Sequence, residues 1–383
     1  MRLIATKRVI EGTELGADVM TGRADGIPLL RSGAQITGRY KEALLKAGVH
    51  AVYIRDELSE GIEPHQLVSD ETRSAATKAV SEAFEGARDA IGAGRPLGPE
   101  ALNSLEDIVD RLLKEVWESG EVAVALQDLS SADAYTLQHS IDVAALGLLI
   151  GQRLFRERGW VDYRGRRSWA KIDTRLSRLG MGLLVHDIGK LIVPTEILNK
   201  PGELDEAEWA LMRTHPQAGL QMLRSDLISP LVKAVVRWHH ERWDGSGYPE
   251  GKAGEDIHEL ARICAVADVY DAVTSERVYA SAKPSHVGVK VILDGAGKHF
   301  DPEVVNVFSK LVAPYPPGVE ITLEDGRSGI VVSVPPNAVD RPLVRITDGR
   351  GAPYEVALED DPGICIRGWE APAPSVRARS IAQ

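Results

Sequence analysis

Residues 184–190 read Leu184-Val185-His186-Asp187-Ile188-Gly189-Lys190, which places an imidazole, a carboxylate and an amine within an apolar stretch. The apolar residues keep a helical spacing, so the segment is predicted to be the buried end of a helix. Because positions three and four apart share a helix face, Lys190 should lie beneath both His186 and Asp187. Three polar groups inside an apolar helix are costly unless something pairs them, and a metal ion could do so.

Other residues repeat this pattern of a metal-binding side chain in a helical, apolar setting: His139, His215, His239, His240 and Asp268. One buried histidine is usually satisfied by a backbone carbonyl, but a core seldom accepts five imidazoles without other partners. Imidazole and carboxylate without thiolate suit Fe, Mn, Zn or Co, and one shared aspartate can bridge two ions. The sequence therefore predicts a hydrolytic site with two metal ions.

Taken together, these motifs resemble those of the HD-GYP phosphodiesterases, the branch of the HD hydrolase superfamily that linearises cyclic di-GMP. The matching residues are Thr136…His139-Ser140, His186-Asp187-Ile188-Gly189-Lys190, His215, His239-His240-Glu241, Asp244-Gly245-Ser246-Gly247-Tyr248-Pro249, Val266-Ala267-Asp268-Val269-Tyr270-Asp271-Ala272 and Phe300-Asp301-Pro302. In this order they cover roughly residues 120–313. The resemblance implies an HD-type helical bundle and hydrolysis of cyclic di-GMP to linear pGpG, with onward cleavage to GMP left open.

The resemblance also implies roles for individual residues. Asp187 would bridge two divalent transition-metal ions, with Fe or Mn favoured, and a hydroxide between them would attack phosphorus. The remaining ligands would be His139, His186 and Asp268 on one ion, and His215, His239 and His240 on the other. Lys190 would hold a phosphate oxygen; the alternative role of Lys190 is a salt bridge to Asp187 or Asp268.

Further expectations concern substrate contacts and metal count. Arg277 aligns with a family arginine that contacts substrate phosphate, whereas Ala280 stands where the family usually has a basic residue. A phosphate or guanine contact of the family could therefore be missing. Family members with three metals carry a glutamate four residues before the first histidine. Here that residue is Tyr135, and Asp133 lies off that helix face, so two metals are predicted.

Composition bounds the class of protein. A length of 383 residues predicts two or three units, and a net charge of −11 argues against a nucleic-acid polymer as partner. Two distant cysteines suggest a reducing cytoplasm, and the sequence contains neither an apolar run of about 18 residues nor an N-terminal signal-peptide core. A basic insertion at residues 153–178 could draw in a nucleotide, but a solvated charged face is favoured.

Composition shifts divide the chain into five parts. A small α+β module (1–63) with strands near 8–10, 18–20, 27–30 and 51–54 and a helix at 37–47 precedes a helical hairpin (64–119). The catalytic domain (120–313) is followed by a small all-β domain of about five strands (314–370), a barrel or curled sheet, and a tail (371–383) predicted to be disordered. The fold class is thus mainly α. The second hairpin helix could pack on the core or form a homodimer seam.

Three alternative functions are compatible with these residues. The metal pocket could belong to a catalytically weak sensor that only binds cyclic dinucleotides, to an HD phosphohydrolase acting on another nucleotide, or to a di-iron oxygenase. The complete ligand set with Lys190, the Gly-Tyr-Pro loop and the lack of a polyol pocket favour the phosphodiesterase. The loop at residues 244–249 is either a rim of the substrate pocket or a docking surface for a protein partner. Glu241 and Asp271 are interpreted as groups that orient imidazoles and loop backbone.

Overall fold

A computed structural model describes most of the chain: residues 1–20, 28–63, 67–92, 97–118, 135–162, 165–200, 202–275, 283–347 and 352–369. The predictions made for Asp133, Arg277 and Ala280, for the side chain of Tyr135 and for the tail lie outside the described residues. No described helix is both long and apolar enough to cross a membrane.

The fold is mainly α, with a helical bundle between small sheets near the two ends of the chain, as the sequence predicts. The helices are α1 (Gly38–Lys46), α2 (Asp70–Gly92), α3 (Pro99–Glu118), α4 (Tyr135–Arg158), α5 (Ile172–Leu184), α6 (Thr195–Leu198), α7 (Glu206–Met212), α8 (His215–Met222), α9 (Pro230–Trp238), α10 (Glu259–Thr274), α11 (Ser285–Asp294) and α12 (Pro302–Leu311). Single 3₁₀ turns lie at Thr6–Arg8, Glu57–Ser59, Ile188–Ile192 and Gly254–Asp256.

Short strands complete the architecture. They are β1 (Arg2–Ala5), β2 (Glu14–Leu15), β3 (Val19–Met20), β4 (Pro28–Leu30), β5 (Ala51–Arg55), β6 (Trp160–Val161), β7 (Arg167–Ser168), β8 (Glu320–Leu323), β9 (Ser328–Ser333), β10 (Leu343–Ile346), β11 (Tyr354–Ala357) and β12 (Ile366–Trp369). All described strand pairs are antiparallel.

One hydrophobic core runs through the bundle from α2 to α12, with α4 at its centre. Residues 141–150 of α4 are all buried, so this helix is enclosed on every side. Gly147 permits close packing of α4 on α5, since a Cβ there would lie 2.6 Å from the Leu183 side chain. The hairpin helices α2 and α3 contribute to the same core, which is the packing that the sequence allows for the second of them.

In the N-terminal module, a three-stranded sheet in the order β1-β5-β2 packs beside the β3-β4 hairpin and α1. The strands predicted near residues 18–20, 27–30 and 51–54 and the helix at 37–47 are confirmed, although Ile27 itself is not among the described residues. Thr37 caps α1 by accepting from Tyr40 N, and Gly48 ends it with φ of +80°. The strand predicted at residues 8–10 is wrong: those residues follow a 3₁₀ turn, and Ile10 is exposed.

The C-terminal strands form an open sheet in the order β11-β10-β9-β8-β12, which favours the predicted curled sheet over a barrel. Gly326, with φ of +87°, lies in the β8–β9 turn that the sequence predicts. This sheet shares a hydrophobic core with the N-terminal module, including Leu3 and Tyr53. Arg2 joins the two modules further, through an ion pair with Glu320 at 2.6 Å. We call these two packed modules the terminal unit.

Candidate metal centre

Five helices of the bundle contribute the predicted ligand residues. His139 lies in α4 and Asp268 in α10, whereas the others sit at helix ends, namely His186 and Asp187 after α5, His215 at the first residue of α8, and His239 and His240 after α9. All are buried except His240, which is half-buried. The fold thus brings together residues that span more than a hundred positions of the sequence.

The segment around Asp187 is a helix end followed by a sharp turn, as the sequence predicts. Helix α5 ends at Leu184, and the chain continues into the 3₁₀ turn Ile188–Ile192, which packs on α8. Gly189 allows this contact, because a Cβ at that position would lie 1.8 Å from the backbone oxygen of His215. The glycine therefore brings the Asp187 turn against the helix that begins with His215.

The two carboxylate oxygens of Asp187 face two different sets of histidines. Oδ2 lies 3.3 Å from His186 Nε2 and 3.7 Å from His139 Nε2. Oδ1 lies 3.4 Å from His215 Nε2 and 3.8 Å from His239 Nε2. The first ligand group is His139, His186 and Asp187; the second ligand group is Asp187, His215, His239 and His240. One carboxylate is thus common to two compact groups.

Hydrogen bonds at the far side of three imidazoles set their tautomers. Nδ1 lies 2.7 Å from Leu183 O in His186, 2.8 Å from Met212 O in His215, and 3.0 Å from Val236 O in His239. A carbonyl oxygen can only accept, so Nδ1 carries the proton in each ring. Each Nε2 is left with a lone pair that points toward Asp187, as in a metal-ligating histidine.

This arrangement fits divalent metal ions. Nε2 of His215 and Nε2 of His239 face each other at 3.3 Å, and two lone pairs at that distance repel unless a cation lies between them. Among the described residues, the buried atoms His186 Nε2 and Asp187 Oδ1 have no hydrogen-bond partner. Buried acceptors without donors are costly, and imidazole with carboxylate is a donor set that first-row transition metals favour.

Two aspartates of α10 flank His139. Its Nδ1 lies 2.6 Å from Asp271 Oδ2, and its Nε2 lies 3.2 Å from Asp268 Oδ1. Burial by itself would lower the pKa of His139, but the hydrogen bonds to Asp268 and Asp271 raise it to about 9. The other oxygen of Asp268 is 4.0 Å from His240 Nδ1, so Asp268 lies between the two ligand groups. Asp271 orients an imidazole, as predicted.

Lys190 lies beside Asp187, with Nζ 2.5 Å from Oδ2. Burial would raise the pKa of the Asp187 carboxyl group, but the charge of Lys190 holds it well below its usual value. The structure therefore contains the salt bridge that the sequence leaves as the alternative role of Lys190. The Lys190 side chain is still 29% exposed, so the ammonium group also borders solvent.

The loop after His240 folds back over the second ligand group. The buried Glu241 accepts from the backbone N–H groups of Glu250 at 2.7 Å and Lys252 at 3.0 Å, which orients the loop backbone as predicted. Gly247 passes so close to the preceding turn that a Cβ would lie 2.4 Å from the Arg242 nitrogen. These contacts bring Tyr248 onto the ring of His240.

Sequence reasoning did not single out Tyr248. Its ring stacks on His240, with centroids 4.7 Å apart and an interplanar angle of 26°. Burial and the charges of Asp187 and Asp268 raise the pKa of Tyr248 above its usual value, so the phenol is neutral. The only signal in the sequence was an aromatic side chain within the glycine-rich loop that follows the paired histidines.

A second contact that sequence reasoning missed supports the His139 helix. Arg73 of α2 donates to Asp142 Oδ1 at 2.8 Å, and Gln138 donates to Asp142 Oδ2 at 3.0 Å. Asp142 lies three residues after His139 in α4, and both partners of the ion pair are largely buried. Helix α2 thereby helps to position the first ligand group, although its sequence contains no metal-binding pattern.

The region that contains this site is similar to known proteins. The sequence model of the HD domain family matches residues 144–304. The chain is 38% identical over 241 residues to cyclic di-GMP phosphodiesterase PA4108 of Pseudomonas aeruginosa, an alignment that covers 63% of this chain and 54% of that protein. It is also 38% identical over 125 residues to 3'3'-cGAMP-specific phosphodiesterase 2 of Vibrio cholerae, which covers 32% of this chain and 24% of that protein.

Among solved structures, Bd1817, an HDG"Y"P protein from Bdellovibrio bacteriovorus, matches with a TM-score of 0.46 and 16% identity. That match covers 80% of this chain and 97% of that chain. The chain spans about half, or less, of the length of the two curated relatives. The family match and the names of the relatives confirm the resemblance that the motifs predict.

Proposed function

We propose that the chain is a metal-dependent phosphodiesterase that hydrolyses cyclic di-GMP, because residues 144–304 match the sequence model of the HD domain family. The observation that carries this proposal is the shared carboxylate: Asp187 faces His186 with one oxygen and His215 with the other, at 3.3 and 3.4 Å. Such a carboxylate suits two cations placed side by side, which is an arrangement suited to phosphodiester cleavage.

The proposed ligands follow the two groups. We infer that Asp187 is shared, that His139, His186 and Asp268 hold one ion, and that His215, His239 and His240 hold the other. Two divalent cations, which we infer to be Fe or Mn, would supply a nucleophile at neutral pH and offset the negative charge that builds on phosphorus. Asp271 and Glu241 support these ligands through the imidazole of His139 and the loop backbone.

Two basic residues are proposed to bind substrate. Lys190 borders solvent while paired with Asp187, so its ammonium group can turn to a phosphate oxygen when cations neutralise the carboxylate. Arg277 is proposed as a phosphate contact from its sequence motif. The product is proposed to be linear pGpG, with GMP as the result of a second cleavage.

The decisive experiment is product analysis by chromatography after anaerobic loading with Fe or Mn. Wild type should convert cyclic di-GMP to pGpG, and Asp187→Ala should abolish turnover because it removes the shared ligand. Asp294→Asn is the matched control, since its carboxylate is exposed and pairs with Lys290 four residues away. A parallel reaction with 3'3'-cGAMP tests the other substrate named among the relatives.

Three results would contradict the proposal in different ways. Tight binding of cyclic di-GMP without product would favour the sensor. Turnover of 3'3'-cGAMP or of another nucleotide, without turnover of cyclic di-GMP, would show that the substrate is not cyclic di-GMP. Wild-type turnover by a folded Asp187→Ala protein with equal metal content would remove Asp187 from its shared role.

We also infer that the loop at residues 244–249 offers a surface to a protein partner, since Asp244, Ser246 and Pro249 are exposed there. Self-association into a homodimer remains a proposal from the sequence. Light scattering on the purified chain would test the homodimer directly, with a mass near 83 kDa rather than the 41.6 kDa of one chain as the supporting result.

A further inference from the structure

A rim of aromatic and basic side chains borders the second ligand group. Tyr248 stacks on His240, and the guanidinium carbon of Arg213 lies 5.7 Å from the centroid of the Tyr248 ring. The same guanidinium lies 5.8 Å from the centroid of the Trp209 ring. Arg213 precedes His215 by two residues, so the short turn between α7 and α8 holds this charge beside the site.

No carboxylate in the described part of the chain forms an ion pair with Arg213. Two other arginines of the surrounding helices, Arg237 and Arg262, form ion pairs with Glu250 and Asp301. Within the described part of the chain, the Arg213 guanidinium makes no hydrogen bond or ion pair, and its side chain is exposed. In a chain with a net charge of −11, an unneutralised guanidinium at the edge of a phosphodiester site is suited to an anionic ligand.

The surroundings of Arg213 also restrict its orientation. A guanidinium within about 6 Å of an aromatic centroid is attracted to the ring face, so Trp209 and Tyr248 limit the positions that Arg213 can take. A planar guanidinium held in this way presents its N–H groups as a fork that matches two phosphate oxygens. The rim is therefore arranged before any ligand arrives, which lowers the entropy that binding would cost.

We propose that Arg213 is a substrate-binding residue that grips the phosphate of the cyclic dinucleotide that is not under attack. This inference rests on the proposed function, because it assumes that one phosphate lies at the two ligand groups. A cyclic dinucleotide has two phosphates, and the second must lie outside those groups. The contacts of Arg213 are with the rim and not with the ligands, which places its charge where a second phosphate can reach it.

The competing explanation is that Arg213 only supports Tyr248, and through it His240. In that case its loss would disturb a metal ligand and would lower the hydrolysis of any phosphodiester. If Arg213 instead binds the second phosphate, its loss would affect only substrates that have one. Bis(p-nitrophenyl) phosphate, which has a single phosphate and no base, separates the two explanations.

The test compares Arg213→Met with wild type, both loaded with Mn. Methionine keeps an unbranched apolar side chain near the two rings and removes the charge. For cyclic di-GMP, KM should rise and kcat/KM should fall about 10- to 100-fold, the size expected for a lost hydrogen bond to a charged group. Metal content by elemental analysis and the hydrolysis of bis(p-nitrophenyl) phosphate should not change. The kcat/KM of Arg213→Lys for cyclic di-GMP should lie between those of wild type and Arg213→Met, because lysine keeps the charge but lacks the forked N–H groups.

Arg224→Met is the matched control. Arg224 follows α8, is exposed and makes no ion pair among the described residues, so the kinetics of this variant should equal those of wild type. Unchanged KM for cyclic di-GMP in Arg213→Met would overturn this inference while leaving the proposed function intact. Loss of metal, a fall in kcat alone, or an equal fall with both substrates would assign Arg213 to supporting Tyr248 and also overturn it. If wild type did not turn over cyclic di-GMP, the proposed function would be overturned, and this inference would fall with it.

Discussion

The metal centre and the terminal unit both bury charged side chains, but the partners of these side chains differ between the two regions. In the terminal unit, Arg2 is 9% exposed and pairs with Asp56 at 2.7 Å and with Glu320 at 2.6 Å, so this buried charge faces two opposite charges. Around Asp187, Lys190 pairs with one carboxylate oxygen, but the acceptor atoms Nε2 of His215 and Nε2 of His239 face each other at 3.3 Å. Buried polar groups that satisfy one another stabilise a fold, whereas buried acceptors without donors indicate a site built for a cation.

The largest expected effect is the removal of metal. Chelation should abolish turnover and lower the thermal unfolding midpoint, because the repulsion between ligand lone pairs is no longer offset. By mass action, metal at one hundred times its dissociation constant should stabilise the fold by about 2.7 kcal/mol. Differential scanning fluorimetry with and without Mn measures this shift. An unfolding midpoint that does not respond to Mn or Fe would contradict the inference that the acceptors around Asp187 are arranged for a cation.

Asp271→Asn should have the next largest effect. It replaces the carboxylate that fixes Nδ1 of His139, and the loss of such a partner typically lowers metal affinity by about 10- to 100-fold. Competition of Mn with a fluorescent chelator measures the affinity. Asp294→Asn on the surface of α11 serves as the control and should bind Mn as wild type does. Equal affinity in the two variants would exclude an orienting role for Asp271.

Arg2→Met should destabilise the terminal unit without touching the metal centre. The change leaves Asp56 and Glu320 without their shared partner, but both are partly exposed to water, at 28% and 30%. We therefore expect a loss of about 1–2 kcal/mol in the free energy of unfolding, less than for a fully buried pair. Urea denaturation measures it. Because the two regions are separate, the stabilisation by Mn should equal that of wild type; a smaller Mn effect would show that they are coupled.

Lys290→Ala should have the smallest effect. Lys290 pairs with Asp294 one helical turn away, and both side chains are more than 60% exposed. Exposed pairs of this kind contribute about 0–0.5 kcal/mol, so urea denaturation should barely distinguish this variant from wild type. A loss as large as that of Arg2→Met would mean that burial does not explain the difference between the two regions.

Much of the fold could be predicted because its signals are local. Helical spacing identified α1 to α4, and glycines after α1 and between β8 and β9 marked turns that require positive φ. The sequence analysis did not predict strand β1. Its residues pair with β5 and pack against the C-terminal sheet, and both partners lie far along the chain. A local pattern cannot report such pairing. The same limit hid the ion pair between Arg73 and Asp142, since each is an ordinary charged residue within its own helix.

The sequence by itself determined which residue types could form the site, because each ligand lies in a short motif whose spacing reveals its helical and apolar setting. It also indicated that Lys190 would lie beside Asp187, since residues three apart on a helical turn must meet. Only the tertiary structure decided how the motifs combine: the two oxygens of Asp187 face separate histidine pairs because α8 packs against the turn at Gly189 and α9 packs on α5 and α8. The direction of a side chain depends on helix packing, and helix packing is set by the whole core.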